Sequence, residues 1–151
     1  MKRTLACAAA CATLLASCGG DSSPDDAPVA FATIESTNRS GVTAARTVVV
    51  RDAGAWQALW AEHKRGVSPA PALPSVDFAQ NMVIATFLGQ RPNICYSVAI
   101  ESVRAGGGRI TVEYREAVPP PAALCGAALS HPAHLVSVKR SDDPVDFAKR
   151  G

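Results

Sequence analysis

The chain contains a nearly continuous apolar run, Met82–Leu88, bounded by Asn81 and Gly89. The run is too short to span a membrane, and its composition is typical of a strand that is buried on both faces. We therefore expect it at the centre of a sheet. The next segment, Ile94–Val103, alternates apolar and polar residues, which predicts a neighbouring strand with one face in water.

Other segments rich in β-branched and aromatic residues predict further strands. They are Phe31–Ser36, Arg46–Arg51, Arg109–Glu116, Leu135–Lys139 and Val145–Phe147. The turn at Asn38–Gly41 between the first two suggests an opening hairpin. The pattern as a whole predicts an α+β fold, with one mostly antiparallel sheet of about six strands.

One helix is expected at Ala53–Lys64, because Asp52 is a natural N-cap residue ahead of it. Its apolar positions recur at spacings of three and four and so form one face: Trp56, Leu59, Trp60 and His63. We expect this face to pack on the sheet. The alternative is an exposed aromatic surface that binds a partner or lines a ligand pocket.

The N-terminal segment has the sequence pattern of an export signal. Lys2 and Arg3 precede an apolar run at 5–16, which ends in Leu15-Ala16-Ser17-Cys18. This ending resembles the lipobox of bacterial lipoproteins, which implies cleavage before Cys18 and a lipid on its sulfur. Gly19 after the cysteine favours, by the same resemblance, delivery to an outer membrane.

The predicted layout is therefore a signal peptide at 1–17, a lipidated cysteine with a tether at 18–28, and a single domain at 29–151. The tether is polar and rich in Pro, Gly, Asp and Ser, without apolar periodicity. At 151 residues the chain is too short for two comfortable domains.

Signal removal changes the charge of the chain. The precursor has a net charge of +2, but loss of Lys2 and Arg3 leaves 13 of the 15 basic side chains against 13 acidic ones. No run of basic residues remains. The basic character of the precursor is therefore no argument for nucleic-acid binding.

The cysteines divide into three groups. Cys7 and Cys11 leave with the signal peptide, and Cys18 takes the lipid. Cys95 and Cys125 remain in an exported, oxidising setting, where we expect them to be bonded to each other. Two free thiols are the alternative.

Candidate catalytic chemistry is weak in this sequence. Cys95, Cys125, His131 and His134 include zinc-ligand types, but Pro132 disfavours a helix between the histidines and no Cys-x-x-Cys motif is present. A cysteine nucleophile beside His131 or His134 would have to stay reduced in an electropositive niche, which the sequence does not indicate. Ser130 lacks the Gly-x-Ser-x-Gly turn of a serine nucleophile. Asp77 has no partner in sequence and is expected to cap a turn. We therefore expect no catalytic residue, metal or cofactor.

Several motifs together resemble the C-terminal domain of the protease-complex subunit PrcB family. They are Trp56-x-x-Leu59-Trp60-x-x-His63, Leu73-Pro74-x-Val76-Asp77-Phe78, Met82-Val83-Ile84-Ala85, Phe87-x-Gly89-x-Arg91-Pro92 and Tyr96-Ser97-Val98-x-Ile100. The resemblance covers roughly Phe31–Phe147. It implies an exported, non-catalytic lipoprotein that associates with a protease. Where many members have a Gly-Gly-Tyr turn, this chain has Asn93-Ile94-Cys95-Tyr96, a departure explained by the expected disulfide.

The leading function is accordingly a protein-binding accessory module, anchored by lipid in the cell envelope. We expect its recognition surface at the edge strands and in the turns Gly89–Asn93 and Val118–Leu124, because sheet edges can accept a partner strand and loops on a rigid scaffold commonly carry binding. The turn residues expected to take part are Gln90, Arg91, Pro92, Asn93, Pro120 and Pro121. The alternatives are an envelope hydrolase using His131 or His134, and a carrier of a small ligand bound against the tryptophan face.

Overall fold

The computed structural model describes residues 26–151. The predicted signal peptide, the lipidated Cys18 and most of the predicted tether lie outside the described residues. The last tether residues are described, and Ala27–Pro28 form a short strand that pairs with Arg104–Ala105. The sheet structure therefore begins slightly before Val29, where the sequence placed the start of the domain.

The described part of the chain contains eight strands and one helix. In chain order they are β1 Ala27–Pro28, β2 Phe31–Thr37, β3 Arg46–Val50, α1 Ala53–His63, β4 Asn81–Phe87, β5 Ser97–Gly106, β6 Arg109–Ala117, β7 Ala133–Lys139 and β8 Val145–Arg150. This is an α+β fold dominated by sheet, as predicted.

The strands form two four-stranded sheets and not the single sheet that was predicted. The order is β1-β5-β6-β8 in one sheet and β2-β7-β4-β3 in the other. All pairs are antiparallel except β6 with β8. β4 is an inner strand with every residue after Asn81 buried, so its central position is confirmed.

Two predicted pairings are wrong. β5 is not a neighbour of β4 and belongs to the other sheet. Its alternating sequence indicates that one face is buried. The alternation is the same whether that face packs against a second sheet or against a helix, so it does not show which sheet the strand belongs to. β2 and β3 do not form a hairpin, since β2 pairs with β7 and β3 with β4 at opposite edges of one sheet.

The β2-β7-β4-β3 sheet is the middle layer of three. One face packs against the helix through a cluster that includes Trp56, Trp60, Val83, Phe87 and Leu135. The other face packs against the β5 sheet through a second cluster that includes Met82, Ile84, Ile100, Val112 and Val136. Burial of β4 on both faces explains its continuous apolar sequence.

The helix begins as the sequence predicts. The Asp52 carboxylate accepts a hydrogen bond from the Ala55 amide at 2.8 Å and so caps the first turn. Asp77 likewise accepts from the Ala79 amide at 2.9 Å, in the turn before β4. Among residues 26–151, α1 is too short to cross a membrane, and no other helix is present there.

Candidate functional site

A disulfide joins the turn after β4 to the loop after β6. The bond links Cys95 and Cys125, whose Cα atoms are 5.8 Å apart, and closes a 30-residue separation in sequence. The predicted pairing is therefore present. We call the surface formed by the turn 90–95 and the loop 118–130 the disulfide face.

Hydrogen bonds reinforce this junction along its length. Arg91 and Ser130 exchange two backbone hydrogen bonds, of 2.8 and 3.0 Å. The Ser130 hydroxyl donates to the Asn93 carbonyl at 2.6 Å. The Ile94 amide donates to the Gly126 carbonyl at 3.4 Å. The turn and the loop are thereby held together, so the two segments predicted for recognition lie on one surface.

Large apolar side chains are exposed on the disulfide face. Of the six exposed large hydrophobic residues in the described chain, four lie here: Ile94 (45% exposed), Val118 (63%), Leu124 (104%) and Leu129 (59%). No lysine, arginine, aspartate or glutamate occurs between Ala117 and Ser130. Clustered exposed apolar residues in a soluble domain are typical of a surface that contacts a partner.

The residues predicted for recognition differ in their exposure. Gln90, Pro92, Pro120 and Pro121 are exposed on the face, whereas Arg91 and Asn93 are partly buried. The exposed leucines, valine and isoleucine were not selected. Val118, Leu124 and Leu129 stand in a segment with neither strand nor helix periodicity, which indicates a loop but does not show that its apolar side chains are exposed.

Arg91 positions the turn from within. Its guanidinium donates to the Leu88 carbonyl at 2.8 Å and to the Glu116 carboxylate at 2.5 Å. Lys149 donates to the same carboxylate at 2.6 Å. The hydrogen bond from Arg91, with that from Lys149, lowers the pKa of Glu116 below its ordinary value, against the opposing effect of burial.

Gly89 fixes the direction of the chain as it leaves β4 for this turn. Its φ angle is +71°, and a Cβ atom there would lie 2.7 Å from the Ala45 nitrogen. Both the left-handed conformation and the close backbone approach require glycine. The glycine at this position therefore sets the path of the backbone from β4 into the disulfide face.

A groove runs beside the disulfide, between the end of β2 and the start of β5. Its volume is about 390 Å³, and its lining is uncharged: Ser36, Thr37, Asn38, Ile94, Cys95, Tyr96 and Ser97. The Asn38 side chain donates to the Ile94 carbonyl at 3.0 Å and so ties the two walls together. The groove continues the disulfide face toward the edge of β2.

Of the two histidines proposed for a hydrolase, His134 is engaged in the scaffold through its ring and His131 through its backbone alone. The Ile100 amide donates to His134 Nδ1 at 2.8 Å, and His134 Nε2 lies 3.0 Å from the Thr33 hydroxyl. His134 is therefore neutral, with its proton on Nε2, and burial lowers its pKa. Ser130 already donates to Asn93. His131 exchanges backbone hydrogen bonds with Asn38 and Ser40.

A second polar group, not foreseen from the sequence, joins Ser40, His63 and Glu35. The Ser40 hydroxyl lies 2.8 Å from His63 Nδ1, and His63 Nε2 lies 3.1 Å from a Glu35 oxygen. Lys64 also donates to Glu35. These residue types match a serine-hydrolase triad, but three features differ.

First, Ser40 and His63 are buried, at 4% and 0% exposure. Second, the Ser40 oxygen already accepts a hydrogen bond from the Val42 amide at 3.0 Å. Third, the serine faces Nδ1, whereas hydrolase triads use Nε2. The group links β2 to the end of α1, and burial lowers the pKa of His63 although Glu35 opposes this effect.

The tryptophans belong to the core. Trp56 and Trp60 are 1% and 8% exposed, and their indole nitrogens donate to the Pro74 and Pro71 carbonyls at 2.8 and 3.3 Å. Core packing of this face is thus confirmed. The disulfide consumes both thiols that were considered for zinc, and residues 26–151 contain no cluster of three potential ligands.

Comparison with known proteins gives a match to one family model. Residues 82–139 match the model described as PrcB C-terminal, which supports the resemblance over this segment, where three of its five motifs lie. The matched segment runs from the central strand β4 to the end of β7 and contains the whole disulfide face. No match was found among curated proteins or among solved structures.

Proposed function

We propose that this chain, which carries a PrcB C-terminal region, is a non-catalytic accessory module of the bacterial cell envelope that binds a protein partner. The partner class suggested by the family is a protease complex. The observation that carries the proposal is the disulfide face, where four large apolar side chains stand exposed on a surface fixed by a covalent bond. A surface that is ordered before binding loses less conformational entropy when the partner docks.

The fold supports a binding role over a catalytic one. His134, Ser130, His63 and Ser40 are the residues that most resemble catalytic groups, and each is hydrogen-bonded to the scaffold. The hydrogen bonds between Ser40 and His63, between His134 and Ile100, and between Ser130 and Asn93 each join separate parts of the fold. In this proposal their role is to stabilise the domain that presents the disulfide face.

The anchor is a further part of the proposal. The Leu15–Cys18 sequence supports lipidation at Cys18, with an outer membrane as the favoured site. Lipidation of full-length protein in the native host is tested by acyl labelling and membrane fractionation. We expect wild type to carry label and to sediment with membranes, whereas Cys18→Ser should do neither. Label that persists in Cys18→Ser contradicts the assignment.

Partner binding is tested by photocrosslinking in the native host. A photoreactive amino acid placed at Leu124 should yield a discrete adduct with one protein, which mass spectrometry then identifies. The matched control is the exposed Asp142, which lies outside the disulfide face. No adduct at Leu124, or an identical adduct from Asp142, contradicts the proposed surface.

A further inference from the structure

We propose that the disulfide face receives an extended segment of its partner, which adds as a strand to the open edge of β2 and places apolar side chains on the disulfide-bonded loop. This inference rests on the proposed function, protein binding at the disulfide face. It adds the conformation of the bound segment and the chemistry of its side chains.

The first argument is the open edge of β2. This strand pairs with β7 on one side, and the described residues provide no backbone partner on the other. Thr37 pairs with Ala133, and because the adjacent Pro132 has no amide hydrogen, Thr37 and Ala133 form a hydrogen-bonded pair in which the Thr37 amide and carbonyl point to β7. Because strand residues alternate in direction, the Ser36 amide and carbonyl point outward. Such an edge can accept another strand.

The start of β5 gives the groove a second open edge. β1 pairs only with Arg104 and Ala105 of β5. The Ile100 amide donates its hydrogen bond to the His134 ring. Ahead of Ile100, strand β5 pairs with β6 alone among the described residues. The groove of about 390 Å³ lies between this segment and the end of β2. Val98, two residues before Ile100, points its amide and carbonyl away from β6 in the same way as Ile100.

The side-chain chemistry of the occupant follows from the groove and the loop. The groove lining is uncharged, and Ile94, Val118, Leu124 and Leu129 offer apolar contacts beside it. Arg39 directly follows Thr37 and Asn38, is exposed, and forms no ion pair with a described residue. The complementary segment is apolar, with an acidic residue at the end that reaches Arg39.

The test uses a displayed library of random dodecapeptides, selected on the full chain purified in detergent. We expect enriched peptides to be apolar with an acidic residue, and to shift the NMR amide signals of Ser36 and Val98. Failure to select any binder overturns the proposal, as does binding in a helical conformation. Concentration-dependent self-association that is blocked at this edge overturns it in favour of a second copy of the chain.

Two substitutions at one position isolate the backbone contribution. Ser36→Pro removes the outward amide, and proline is tolerated at an outward-facing position of an edge strand. Ser36→Val is the control, since it removes the same hydroxyl but keeps the amide. We expect Ser36→Pro to weaken a selected peptide roughly tenfold or more relative to Ser36→Val. Equal affinities overturn strand addition.

Peptides methylated at alternate backbone nitrogens are a second test, which applies even if Ser36→Pro fails to fold. One methylation register should abolish binding to the wild-type chain and the other should not; insensitivity to both overturns the proposal. Leu124→Asp separates this inference from the proposed function. If Leu124→Asp abolishes binding while Ser36→Pro and methylation have no effect, the disulfide face is correct and the extended mode is wrong. If neither substitution weakens peptide binding, both proposals fail.

Discussion

The backbone amide of Ile100 in β5 donates a hydrogen bond to Nδ1 of His134 in β7, at 2.8 Å, across the boundary between the two sheets. His134 is 6% exposed, and its Nε2 reaches the Thr33 hydroxyl. The neutral ring therefore satisfies an amide at the edge of one sheet and a hydroxyl at the edge of the other. Protonation would turn the accepting nitrogen into a donor that faces another donor.

This geometry predicts a domain that loses stability in mild acid. Burial lowers the folded-state pKa of both His134 and His63 below their ordinary value of 6.5. The unfolded chain therefore binds more protons than the folded chain below that pH. The stabilisation is fully present above pH 6.5 and is lost as the pH falls toward the folded-state pKa values. Urea unfolding from about pH 8 to about pH 5 measures it.

Two variants identify the source of that pH dependence. His134→Asn keeps a hydrogen-bond acceptor without a titrating ring, so its stability should fall less steeply with acid than that of wild type. His131→Asn is the control, because His131 is only partly buried and its ring forms no hydrogen bond with a described residue. Identical pH profiles for wild type and His134→Asn would contradict the assignment.

The buried group around Ser40 makes a separate prediction. Ser40→Ala should destabilise the domain by about 1–3 kcal/mol, since it leaves the Val42 amide and His63 Nδ1 without their partner. Wild type and variant should hydrolyse chromogenic esters no faster than buffer. Ester hydrolysis by wild type that disappears in Ser40→Ala, with the fold intact, would show that the triad-like group is catalytic.

The disulfide should contribute substantially to stability. On the chain-entropy model, a bond that spans 30 residues stabilises by about 3–4 kcal/mol. We expect the Cys95→Ser, Cys125→Ser double variant to lose about that much in urea unfolding, and its 118–130 amides to exchange hydrogen faster. A thiol count on denatured, unreduced wild type should find neither Cys95 nor Cys125 free.

Glu116 should stabilise the turn before the disulfide. Its side chain is 6% exposed and accepts from Arg91 and Lys149, so Glu116→Gln should cost about 1–3 kcal/mol and loosen the Arg91 turn. Because its pKa is lowered from 4.5, its stabilisation is present above that pH and lost below it. Glu101→Gln breaks the exposed pair with Arg115 and should change stability little. Equal losses would contradict the distinction.

Local patterns in the sequence predict the elements well. The Asp52 cap, the tryptophan spacing and the doubly buried β4 each depend on neighbouring residues, and each is found where it was expected. Sheet membership was not predictable in this way. The alternation in β5 is the same whether its buried face meets a helix or another sheet, and the partner of β2 lies about a hundred residues away, in β7.

The candidate site was likewise predictable only in part from the sequence. The Cys95–Cys125 bond was predictable because the expected compartment and the cysteine count leave one pair. The apolar exposure of Leu124 and Leu129 was not, since leucine in a sequence indicates a core position unless the surrounding structure is known. Likewise, Ser40, Glu35 and His63 come from different elements, and only the folded chain brings them together.

The central claim is that the disulfide face binds the partner. The most direct measurement is the dissociation constant of the crosslinked partner for wild type, Leu124→Asp and Leu73→Asp. Leu73 is the control, because it is also an exposed leucine, at 44%, but lies between α1 and β4. We predict roughly tenfold or greater weakening for Leu124→Asp and none for Leu73→Asp. Equal affinity of wild type and Leu124→Asp would contradict the claim.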